Sequence, residues 1–75
     1  MALKEARERA GFTQKKLAEL SGVNVRMLTY YEQGVKDING AKLKTLLMLC
    51  DVLGCPLSDI VTDEETLELL HKLNL

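Results

Sequence analysis

The chain has no tryptophan, a single phenylalanine, one proline and one histidine in 75 residues. One proline and five glycines leave little to interrupt helices, and no β-branched run alternates with period two. Strands are therefore not expected. No apolar run approaches the roughly 20 residues of a membrane span, and the N-terminus, MALKEARERAG, is charged and amphipathic, unlike a signal peptide. Cys50 and Cys55 have no second cysteine or histidine pair near them, so no metal site is expected. Cys50 falls on the apolar stripe of a helix and Cys55 in the loop after it, as small apolar residues of a reducing cytosol. Repeats and low-complexity tracts are missing as well.

The ingredients of catalysis are also short. Ser21 and Ser58 fall at helix ends, His71 is remote in sequence from both cysteines, and there is no glycine-rich phosphate loop. Asp63, Glu64 and Glu65 fill the first turn of a helix, where the dipole alone favours them. Neither an enzyme nor a cofactor is expected.

What is present suits a small all-α domain. Hydrophobic residues make up 47% of the chain, ample for a core, although the length is near the lower limit for a self-sufficient one. The net charge of −1 conceals an asymmetry. Residues 1–36 carry seven Lys/Arg against four Glu, whereas residues 37–75 carry three Lys against seven Asp/Glu. Charge on one face matters more to a phosphate backbone than the total.

Periodicity predicts five or six short helices. The first runs from Ala2 to Ala10, with Leu3, Ala6 and Ala10 on one face. Thr13 can cap a second that carries Leu17, Ala18 and Leu20 and ends at Gly22, which can take the left-handed conformation. Asn24 can cap a third, carrying Met27, Leu28 and Tyr31 and stopping at Gly34. Residues 34–41 read as a loop. A fourth helix spans Ala41 to Leu53, and Pro56 opens a short fifth from Leu57 to Val61. Thr62 and Glu65 suggest a capping box for a last helix reaching Leu73. Two helices joined through so tight a glycine turn cross steeply and leave the second projecting by its N-terminal end, the helix-turn-helix arrangement.

In this order and spacing the residues resemble the lambda-repressor-like family of helix-turn-helix proteins, the group of phage Cro, phage repressors and small xenobiotic-response-element-type regulators. The resemblance runs from Leu3 to about Val61. It is carried by Arg7, the Thr13-Gln14 helix start, Leu17-Ala18, Gly22-Val23, Leu28, Glu32-Gln33-Gly34 and Leu46 through Asp59. It implies an all-α DNA-binding domain over residues 1–61, followed by a C-terminal amphipathic helix over residues 62–75. The implied partner is double-stranded DNA with a two-fold operator, bound by a homodimer; no membrane partner is implied.

The resemblance also distributes roles. Phosphate contacts fall to Thr13, Gln14, Lys15 and Lys16 at the start of the second helix, a ready anion site, and to Gln33, Lys36 and the amides of the loop from Lys36 to Gly40. Many relatives have Glu where Lys15 and Lys16 stand here, and lysines at a helix start oppose its dipole unless a phosphate is near. Asp37, beside Lys36, weakens the loop clamp. Base reading falls to Asn24, Val25, Arg26, Thr29 and Tyr30, with Arg26 able to bond one guanine bidentately. Arg7 and Glu32 are implied as a buried pair joining the first and third helices. Leu67, Leu70 and Leu73 form the face of a last helix too short to stand alone. They pack in cis on the first helix or on a two-fold partner, and dimerisation is the expectation. Three functions remain open at this stage: a stand-alone repressor, the DNA-binding antitoxin of a toxin–antitoxin pair with a protein toxin as partner, and a protein-interaction module. A cytoplasmic location follows from each.

Overall fold

The chain's own caps fix most of the helix ends. In a computed structural model, which describes residues 2–75, the α-helices are α1 (Ala2–Arg9), α2 (Gln14–Ser21), α3 (Val25–Gln33), α4 (Leu43–Leu53) and α5 (Glu64–Lys72). Single 3-10 turns occupy Ile38–Gly40 and Leu57–Asp59, and no strand occurs among the described residues. The Thr13 hydroxyl accepts the Lys16 amide, and Asn24 Oδ1 accepts the Arg26 amide. Gly22 ends α2 at φ 77°, a conformation that disfavours any residue with a Cβ. Its amide returns to the Ala18 carbonyl at 2.9 Å, so the chain turns at once into α3.

The core is one cluster. Leu17, Leu28, Leu49 and Ile60 are completely buried, and Leu3, Ile38 and Val61 nearly so. Each such aliphatic side chain contributes about 1.5–3 kcal/mol by leaving water. α2 packs on both α3 and α4, and α1 packs on α3. The helix-turn-helix pair is thus held from two sides, with the outer face of α3 left free.

Four local expectations are corrected. Residues 34–41 are not a plain loop, because Ile38 is buried and the 3-10 turn around it is capped by Asp37, whose Oδ1 accepts the Asn39 amide. The Ala41 amide then bonds the Ile38 carbonyl, and α4 begins at Leu43 rather than Ala41. After Pro56 there is a single 3-10 turn; Ile60 and Val61 leave it to plug the core. The capping box of Thr62 and Glu65 does not form. Asp63 is the cap of α5, its Oδ2 accepting both the amide and the hydroxyl of Thr66. Those two bonds lower the Asp63 pKa.

Thr62 is occupied elsewhere. Asn39 Nδ2 donates to Thr62 Oγ1 and to Asp37 Oδ1, both at 2.9 Å. Asn39 Oδ1 accepts the Thr62 and Asp63 amides at 2.8 and 3.0 Å. α5 lies chiefly against the Leu57–Asp59 turn. Leu67 and Leu70 pack half-buried on the core, while Leu69 and Leu73 stay 49% and 63% exposed.

Candidate nucleic-acid interface

Three elements make up the candidate interface: the start of α2, which the Gln14–Thr29 bond joins to α3, the start and outer face of α3, and the segment after Gly34. At the first two helical positions of α2, the amides of Gln14 and Lys15 have no carbonyl within the helix to bond. Exposed lysines follow them directly. Lys15 is in no ion pair among the described residues, and Lys16 makes only a loose one with Glu19 at 3.9 Å, both side chains 56% exposed. An anion placed there would meet amides, dipole and ammonium groups together.

On α3 the expected base readers divide. Arg26 is exposed, and its guanidinium is in no ion pair among the described residues, so its planar fork is free to bond a base. Val25 is 44% exposed at the first helical position, beside it. Asn24 is exposed, but its Oδ1 is spent as the helix cap, leaving the amide nitrogen to face outward chemistry. The Thr29 hydroxyl turns inward: it donates to Gln14 Oε1 at 2.8 Å, with the Val25 carbonyl at 3.0 Å. Tyr30 is half-buried. Met27 is partly buried against the core, as packing rather than a reader.

Gln33, the last residue of α3, and Lys36 beyond it are exposed. The amides expected to clamp a second strand are largely committed within the protein. Lys36 donates its amide to the Tyr30 carbonyl, Asn39 to Asp37 Oδ1, and Gly40 to the Asp37 carbonyl.

Behind the surface lies a chain of bonds. Arg7 donates through Nε and Nη2 to the two carboxylate oxygens of Glu32, and through Nη1 to the Phe12 carbonyl at 2.8 Å. Gln14 Nε2 donates to the same carboxylate at 3.1 Å. Burial works against the Glu32 charge, but the bonds from Arg7 and Gln14 outweigh it and hold the carboxyl below its ordinary pKa. The bond to Glu32 in turn raises the pKa of Arg7. The Arg7–Glu32 pair has the form that the family resemblance implies. The links from Gln14 to Glu32 and Thr29 have no signature in the sequence, since the partners stand 18 and 15 positions away.

Other chemistry is not assembled. No group of three or more His, Cys, Asp or Glu is placed to hold a metal among the described residues, and no helix there is long and apolar enough to cross a membrane. Burial and the neighbouring Cys55 push the Cys50 thiol up to about 12, so it stays protonated.

A tight helix pair, capped at both starts, with an unpaired arginine and lysines on its open face, defines a helix-turn-helix module for DNA. A family model described as helix-turn-helix, of the Cro/C1 type, matches residues 3–60, and the chain belongs to that family. It is a DNA-binding helix-turn-helix regulator. Neither a curated protein nor a solved structure matches the chain.

Proposed function

We propose that the protein is a sequence-specific transcriptional repressor of the cytoplasm that reads the DNA major groove with α3 and binds a two-fold operator as a homodimer. The observation that carries this reading is the free Arg26 fork on the exposed start of α3, next to the phosphate-ready start of α2. One set of groups specifies while the other positions. Asn24, Val25 and Tyr30 flank Arg26 as further readers; Lys15, Lys16, Gln33 and Lys36 hold the backbone on either side.

Size and the tail support the dimer. The molecule measures 33 × 24 × 20 Å, and recognition helices of a two-fold pair stand about 34 Å apart, one DNA turn. Two copies set with their long axes along the duplex would therefore come within reach of each other. α5 offers Leu69 and Leu73 for that contact, with Leu67 and Leu70 packed half-buried against the protein's own core. A second half-site engaged at high effective concentration compensates for the nearly neutral charge of each copy, −1 in total.

Selection of bound sequences from a random double-stranded pool tests the reading. The expected result is enrichment of inverted half-sites with centres about 10 base pairs apart. Failure to enrich any sequence would overturn sequence-specific recognition; enrichment of a single asymmetric site would overturn the dimer.

A further inference from the structure

The side chain of Gln14 is held between two helices, and its amide could in principle face either way. As found, Nε2 donates to Glu32 Oε1 at 3.1 Å and Oε1 accepts the Thr29 hydroxyl at 2.8 Å. That hydroxyl has one hydrogen and two acceptors, the second being the Val25 carbonyl at 3.0 Å. Turning the Gln14 amide over would suit Thr29 better: it would receive a hydrogen from Nε2 and give its own to Val25. Something else must set the orientation.

Glu32 does so. An ionised carboxylate only accepts, and a turned amide would place its oxygen against Glu32 Oε1 with no hydrogen between them. The carboxylate cannot swing aside, because Arg7 grips both of its oxygens at 2.8 and 2.9 Å. We propose that Glu32 is a positioning residue for DNA contact: it fixes the Gln14 amide so that one Nε2 hydrogen is bonded inside the protein and the other remains the donor to a phosphate at the start of α2. The proposal rests on the DNA-binding reading above and adds to it a role for a residue that touches no DNA.

The test compares the cost of Gln14→Ala in two backgrounds, on a duplex that the wild-type protein has selected from a random pool. The second background is Arg7→Met with Glu32→Leu, an apolar replacement of the whole pair, a kind of exchange that is often neutral or stabilising. Whatever that replacement does to affinity by itself, the cost of Gln14→Ala isolates the amide. Loss of one charge-assisted bond predicts about tenfold weaker binding in the wild-type background. In the apolar background, with the amide free to turn toward Thr29, the same substitution should change affinity little. Equal losses in both backgrounds would overturn the inference, as would no loss in the wild type.

Should the apolar variant fail to fold, proton NMR of the wild-type protein decides. Nuclear Overhauser contacts from the Gln14 side-chain amide hydrogens to the Glu32 methylenes support the assigned orientation; contacts to the Thr29 side chain alone would overturn it. A wild-type protein that selects no duplex removes the DNA-binding reading and the clamp with it. Selection that succeeds while Gln14→Ala costs nothing removes the clamp alone.

Discussion

Arg7 and Glu32, 25 residues apart, close a two-point ion pair between α1 and α3, with the Glu32 side chain only 3% exposed. The same guanidinium holds the Phe12 carbonyl, just ahead of the Thr13 cap, so one side chain sets the start of α2 against the end of α3. Glu32 stands in the last turn of α3, where the dipole opposes a negative charge. The pair is what keeps that charge tolerable.

Arg7→Met should therefore cost about 3–5 kcal/mol near neutral pH, since it strands a buried carboxylate. The pH dependence has a definite sign. In the wild type, the Glu32 pKa lies below its ordinary 4.5, so its contribution is complete above that pH and is lost as pH falls through the lowered value. Without Arg7, burial should carry the carboxyl above 4.5, and protonation should relieve the variant first. Denaturation curves at about pH 7 and pH 4 should show the penalty shrinking in acid. A penalty equal at both would refute the assignment.

Lys15→Glu tests the phosphate contacts. Binding should weaken steeply with salt, and the variant should lose affinity for all duplexes alike with a shallower salt slope. The fold should be unharmed or gain about 0.3–1 kcal/mol, because a glutamate suits a helix start better than a lysine. Titrations at several salt concentrations, paired with a thermal melt, check both halves. A salt-independent wild-type affinity would refute it.

Arg26→Ala tests specificity. Preference at one base pair in each half-site should relax by about 1–3 kcal/mol, with the remaining positions unchanged. The measurement is competition among operators permuted one base at a time. Unaltered preference would mean that another side chain, Tyr30 first, reads that base.

Leu73→Asp tests assembly. Leu70 is half-buried on the protein's own core, so a charge there would damage fold and dimer together, whereas Leu73 is 63% exposed. Sedimentation at tens of micromolar should show a wild-type dimer and a folded, monomeric Leu73→Asp. A wild-type chain that stays monomeric with and without operator DNA would refute the homodimer.

The helices were largely legible from their ends. Thr13, Asn24 and Gly22 act locally, through bonds to residues two to four positions away, and such bonds are written in sequence order. Leu17 and Leu28 fell on the expected stripes for the same reason. The second half was harder to read because its local signals compete with distant ones. Thr62 is a good cap by type, yet Asn39, 23 residues upstream, binds its amide and hydroxyl, and the cap passes to Asp63. Ile38 looked like part of a loop because one buried residue in a glycine-bounded stretch has no periodicity to betray it. On the proposed interface, the outward place of Arg26 was implied by the family resemblance, whereas the inward bonds of Thr29 and Gln14 required two helices already docked.

The grip of Asn39 has a consequence for how the molecule comes apart. α5 contains no fully buried residue, so it is attached by Leu67 and Leu70 along its length and by the Asn39 amide at its root. The cheapest excursion from the native state is then a peeling of the tail that leaves the helix-turn-helix intact, and its hinge is a single side chain. Amide hydrogens of α5 should exchange with solvent as one cooperative block, together with those of Thr62 and Asp63 and well ahead of α2 and α3. Exchange of α5 no faster than that of α2 and α3 would refute this picture of a detachable leaf on a permanent stem.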